Sequence, residues 1–133
     1  MIVFLTIAGE PVPLAQITLR RSMDAGAMDL QLVGHRNIAI GAACSLLVDD
    51  LEITATVTAS SPGERLTTVS ASLPAEVGAG LFAPSYQLSR SNGGIRAPLD
   101  WRVLPGDTYQ GMIIASCTHT MGAKSPWFTE VRF

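Results

Sequence analysis

Two residues in this chain have the types and spacing of a reactive pair. Cys117 and His119 stand two positions apart in an apolar-rich run, Met112 to Met121, that reads as a strand. Side chains alternate across a strand, so the two share a face. A thiolate beside an imidazole can act as nucleophile and base. Ser116 is the other nucleophile near His119, but three positions along a strand put the two on opposite faces. No third group and no oxyanion hole are recognisable around either pairing. The expectation is a structural His119 at a polar–apolar boundary, and a chain that is not an enzyme. His35, in the turn Gly34-His35-Arg36-Asn37, reads the same way.

Ligand sites are as sparse. Asp49, Asp50 and Glu52 form an acidic cluster, and oxygen ligands of this kind can hold a cation. Their spacing lacks a D-x-[DN]-x-[DN]-G loop, so they read as a solvated turn. Ser61-Pro62-Gly63 and Asn92-Gly93-Gly94-Ile95 are not phosphate cradles, because no helix start follows them. Cys44 and Cys117 lie 73 positions apart with no CxxC motif. They are expected as free, buried thiols, since free cysteine packs as a small hydrophobe. No cofactor and no metal are expected.

The elements that must position these residues are short strands. Ile2, Val3, Phe4, Thr6 and Ile7 make Met1 to Ala8 a first strand, with Gly9-Glu10-Pro11 as its turn. Ala15 to Arg21 alternates Ile17 and Leu19 against Thr18 and Arg20. Met28 to Val33 alternates too, and its wholly apolar set, Met28, Leu30 and Leu32, is the expected core face. Cys44 to Val48 fits a strand or a helical fragment. The clearest hairpin follows. Leu51, Ile53, Ala55, Val57 and Ala59 alternate with Glu52, Thr54, Thr56 and Thr58. After a turn at Ser61-Pro62-Gly63-Glu64, Val69, Ala71 and Leu73 alternate with Thr68, Ser70 and Ser72.

From Pro74 to Pro98 the pattern loosens. Pro74 to Leu81 is the expected place for a turn or two of helix, Tyr86 to Leu88 for a short strand, and Ser89 to Gly94 for an exposed turn. Leu99 to Val103 resumes order around Trp101. A final hairpin then runs from Met112 to Met121 and back along Trp127 to Phe133. A strand at the end of a chain must pair with something earlier or with another molecule, because its backbone groups are otherwise an open edge. Turn signals recur about every 8–12 residues, the signature of a sandwich or barrel. The fold class is all-β: a small β-barrel or sandwich of antiparallel strands, with little helix.

The totals agree with one domain. The chain has 133 residues, is 47% apolar and is only 15% charged. About a quarter of residues are charged in an ordinary soluble domain. Either Thr and Ser supply the surface polarity in place of charges, or apolar surface is buried against other subunits. Hydroxyls alone are too few, which favours the second reading. Net charge is −2, and Arg20-Arg21 is the only adjacent basic pair. That excludes the clustered cations of nucleic-acid binders and of polybasic membrane anchors. No apolar run approaches the roughly 18 residues needed to span a bilayer. The apolar start lacks a charged leader and meets Glu10 early, so it reads as a strand and not as a signal peptide.

The ending VLPGDTYQGMIIASCTHTMGAKSPWFTEVRF resembles the closing strands of bacteriophage tail hub and baseplate β-barrels. The resemblance rests on Pro105-Gly106-Asp107 before a strand, His119-Thr120 near that strand's end, and Trp127-Phe128-Thr129-Glu130 in a closing strand. It covers about a quarter of the chain. It implies a structural virion protein of a phage tail, a baseplate hub or tail-tip ring subunit, assembled in the host cytoplasm. It implies other tail proteins as partners and a homo-oligomeric ring, a trimer or hexamer. It implies neither sequence-specific nucleic-acid binding nor membrane insertion. Trp101, Trp127, Phe128 and Phe133 are the candidate interface residues. The alternative is a receptor- or glycan-binding module at the tail tip, stacking sugars on Tyr86, Trp101 or Trp127.

Overall fold

The computed structural model describes residues 3–83, 89–91, 94–123 and 126–133. Thirteen strands and no helix occur among them. Every paired strand runs antiparallel to its partner in the registers resolved. The chain divides into two compact units, Met1–Ile17 with Ala27–Leu73, and Thr18–Gly26 with Pro74–Phe133.

In the first unit, β1 (Val3–Ile7) pairs with the two-residue β2 (Glu10–Pro11). Ala8 and Gly9 between them have φ of 53° and 81°. That left-handed pair is what a two-residue hairpin turn demands. The turn is therefore one residue earlier than expected, and Pro11 falls on an edge strand, where sheets tolerate proline. The order continues β1, β5 (Ala43–Val48), β6 (Leu51–Pro62), β7 (Leu66–Leu73), β4 (Gly26–Val33), then the first half of β3 (Leu14–Ser22). Cys44 to Val48 resolves as a strand, with Cys44, Leu46 and Val48 buried. Met28, Leu30 and Leu32 are fully buried, as their alternation predicts.

The β6–β7 hairpin carries one irregularity. Val57 pairs with Ala71, but Ala59 pairs with Ser70, so Thr58 is an extra residue. Such a bulge shifts parity by one. Ala59, expected inside, is exposed. β6 also runs on through Pro62, which moves the turn to Gly63–Arg65. Thr67 is a buried hydroxyl with full employment: it donates to the Gly34 carbonyl (2.8 Å) and accepts from the Arg36 N–H (2.9 Å).

The second unit orders the last part of β3, then β12 (Ser116–Gly122), β13 (Phe128–Arg132), β9 (Gly94–Pro98) and β8 (Ser89–Ser91). A separate ribbon pairs β10 (Thr108–Tyr109) with β11 (Met112–Ile113). Phe82, Ala97, Val103, Ile114, Cys117 and Val131 form its apolar core.

Four expectations change here. Met112 to Met121 is not one strand. It breaks at Ile114-Ala115, because the Ile114 N–H donates to the Asp107 carbonyl (2.8 Å) and its carbonyl accepts from the Gly106 N–H (2.8 Å). The final strand is not an open edge. β13 pairs along its length with β12 on one side and β9 on the other. Pro74 to Leu81 is not helical. Its N–H groups are drawn outward, Gly78 to the Pro105 carbonyl (2.7 Å) and Gly80 to the Asp107 carboxylate (3.0 Å). Ser89–Ser91, expected in a turn, pairs with β9. The expected strand at Tyr86–Leu88 and the Asn92-Gly93 pair lie outside the described residues.

Candidate assembly surface and the cluster beneath it

β12 and β13 place Cys117, His119, Thr129 and Val131 on one buried face. His119 pairs directly with Thr129 in the register, and its Nδ1 lies 2.9 Å from Thr129 Oγ1. Thr129 clamps the preceding loop. Its hydroxyl accepts from the Asp100 N–H (2.9 Å) and donates to the Asp100 carbonyl (3.3 Å). That loop lays Trp101 over the imidazole, ring centroids 5.3 Å apart. Cys117 Sγ sits 3.6 Å from His119 Nε2 and donates to the Val103 carbonyl (3.4 Å).

The reactive pair thus shares a face, as its spacing predicts, but it is sealed. Burial pushes the Cys117 thiol up to about 12, with a smaller opposing pull from Arg21. Burial, aided by the Arg21 charge, pushes the His119 imidazole down to about 4, against a weaker upward pull from the Val103 carbonyl. A thiol held protonated is a poor nucleophile. His119 packs beneath Trp101. Burial likewise raises Cys44 to about 11. Both thiols should resist a thiol reagent such as Ellman's in the native state and react only on unfolding. Rapid native labelling of either would contradict their burial.

The other chemical candidates are structural. Asp49 and Asp50 form the two-residue turn between β5 and β6. Glu52 faces outward and accepts from the Ser45 hydroxyl (3.3 Å). Among the described residues no three His, Cys, Asp or Glu side chains converge. His35 is exposed, its Nδ1 3.2 Å from the Gly63 carbonyl.

Pro105-Gly106-Asp107 acquires a physical meaning. The Asp107 N–H donates to the Leu104 carbonyl (3.2 Å), and Gly106 has φ of 94°. Proline followed by a left-handed glycine is the type II turn pattern. The Asp107 carboxylate then accepts from the Leu104 N–H (3.0 Å) and the Gly80 N–H (3.0 Å). One side chain holds the turn closed and pins the strap at 74–83. Nothing in the sequence marked Gly80 as its partner.

Of the four candidate interface residues, Trp101 is buried within its own unit. The other three are at the surface. Trp127 is 51% exposed, with its indole N–H donating to the Gly122 carbonyl (2.8 Å). Phe128 is half-buried on the outer face, under the Arg96 guanidinium at 4.3 Å from the ring centroid. Glu130 on the same face meets Arg96 (3.6 Å) and Arg132 (2.8 Å). Phe133 stacks on Tyr109 (6.2 Å), which packs on Phe82 (5.7 Å).

Among the exposed apolar residues that carry no mark in the sequence, Leu81 and Ile113 lie close together. Leu81 bridges Thr108 in parallel, and Thr108 pairs with Ile113. Leu81 and Ile113 therefore flank Thr108, 71% and 60% exposed. For Ile113 the missing signal was the break at Ile114, which reverses the parity of the preceding strand.

No protein-family model matches this chain. No curated protein matches it in sequence. Solved structures do match. The E. coli c3393 protein superposes with a TM-score of 0.67 at 10% identity, over 96% of this chain and 75% of that one. It is described as a component of the type VI secretion system with structural similarity to the T4 bacteriophage tail proteins gp27 and gp5. The 43 kDa tail protein of prophage MuSo2 from Shewanella oneidensis matches at 25% identity over 54% of this chain, with a TM-score of 0.41. The chain spans about a quarter of that protein's length (26%). The all-β fold is thus one shared with a protein described as structurally similar to phage tail proteins.

Proposed function

We propose that this chain is a structural component of a phage-type tail, a baseplate-hub or tail-tip ring subunit. It acts by assembling with copies of itself and with other tail proteins, and its place is the virion tail. The observation that carries this reading is the fold, shared along nearly the whole chain with a secretion-system component described as similar to tail proteins. The surface supports it. Trp127, Phe133, Leu81 and Ile113 are large apolar groups left in water, the kind of surface that association buries. The interior is compatible with it as well, because Cys117 and His119 are both fully buried. Of the stacking platforms in the glycan-binding alternative, Trp101 is buried and Trp127 is exposed.

Sedimentation of the purified chain across a range of concentrations tests the reading. Self-association is the expected result, and Trp127→Ser combined with Phe133→Ser should weaken it about tenfold or more, as loss of aromatic anchors does elsewhere. The melting temperature should fall modestly, because Trp127 gives up its bond to the Gly122 carbonyl and Phe133 its stack on Tyr109, so each variant is compared below its own melt. A double variant that associates as well as the parent removes these residues from the interface.

A further inference from the structure

β3 turns Arg21 inward, on the parity of Ile17 and Leu19. Among the described residues it is the only buried side chain with a permanent charge. A guanidinium taken out of water needs counter-charge and hydrogen bonds. Arg21 is thinly supplied. Its Nη1 lies 3.3 Å from Glu76 Oε2. Its Nε is buried with no hydrogen-bond partner. Its charge is felt at Cys117 and His119, on the adjacent strand. Neither offers a negative charge in return, since one is held as a thiol and the other as a neutral imidazole.

Glu76 is a weak permanent counterion. Its side chain is 63% exposed, against 6% for Arg21. It lies in the strap, two residues before the first strap bond to the Pro-Gly-Asp turn, at Gly78. An ion pair with one solvated member gains little from its own closure. A carboxylate that arrived with a second surface, and shut out water as it docked, would gain more.

We propose that Arg21 is a docking socket for a carboxylate of a second copy of this chain, covered by Glu76 in the isolated subunit. This rests on the assembly reading above. Charge complementarity selects the occupant. The densest negative charge on the chain is the β5–β6 turn, where Asp49, Asp50 and Glu52 are all exposed. A knob from one place on the subunit entering a socket at another is a heterologous contact, the kind that closes into rings.

The test is sedimentation equilibrium of the full chain at moderate salt, with thermal melts of each variant. Glu76→Gln uncovers the socket and should tighten self-association about tenfold, while the pair Asp49→Asn and Asp50→Asn should weaken it by a similar factor. Asparagine accepts the left-handed backbone at Asp49, where φ is 53°, so the turn survives. With all three changes together, the gain from Glu76→Gln should vanish. If the parent associates and the acidic-turn variants associate equally well, the socket is wrong and the assembly reading stands. A Glu76→Gln chain that melts lower but associates unchanged likewise rules out the socket and leaves assembly in place. If the parent stays monomeric at every concentration, both fall.

Discussion

Gly106→Ala should destabilise the protein by about 3–5 kcal/mol, more than an ordinary surface change can. Two costs combine. The backbone sits at φ of 94°, and a left-handed conformation costs a residue with a Cβ roughly 1–2 kcal/mol. The added Cβ would also stand 2.5 Å from the Gly78 carbonyl oxygen and 2.5 Å from Val77 Cγ1. The first neighbour is backbone and cannot step aside without moving the strap. Gly111→Ala is the control, because φ there is 80° with nothing within 4 Å of the new Cβ. It should lose only the conformational part, about 1 kcal/mol. Urea unfolding of the two variants separates the costs. Equal losses would mean that the strap is not seated against the Pro-Gly-Asp turn.

Acid should loosen the second unit through His119. In the unfolded chain this imidazole takes up a proton near its ordinary 6.5; in the folded chain it does so only near 4. The unfolded state therefore binds more protons between those values, and stability falls as pH drops from about 6.5 to about 4. Below that window the imidazole is charged in both states and adds no further loss. At about 1.4 kcal/mol per pH unit, the expected loss is about 3 kcal/mol. The cause is geometric. A charged ring would lie buried under Trp101, near Arg21, with Thr129 as its hydrogen-bond neighbour. His119→Gln should start less stable at neutral pH, yet lose much less between pH 6.5 and 4. Tryptophan fluorescence, from Trp101 and Trp127 together, reports both during urea titration. A parent whose stability is flat across that window would rule out a buried, neutral His119.

Period-2 alternation was the most legible feature of the chain. Met28, Leu30 and Leu32, and then Ile53, Ala55 and Val57, needed nothing beyond their spacing to be assigned to a core face. Where the structure departs, one residue usually did it. Thr58 bulges and turns Ala59 outward. Ile114 bonds back to the Pro-Gly-Asp turn and splits an apparent strand. β9 escaped notice because Gly94 and Pro98 bound it, although Ile95 and Ala97 carry the right alternation. That omission is also why the last strand looked unpaired, since β9 is its missing neighbour. His119 was legible as structural, but its seat was not. Asp100, Trp101 and Thr129 reach it only through tertiary pairing, which no local pattern encodes. Arg21 was readable in principle: extending the parity of Ile17 and Leu19 by one step points it inward. Residues at the surface were the hardest to rank. Exposure depends on which strands find partners, and the burial of Trp101 was not legible for that reason.

Electron microscopy of the purified chain in negative stain, over a series of concentrations, bears most directly on the assembly role. Closed rings of uniform diameter, with threefold or sixfold averages, are the expected images. Isolated particles of single-subunit size at every concentration would contradict it.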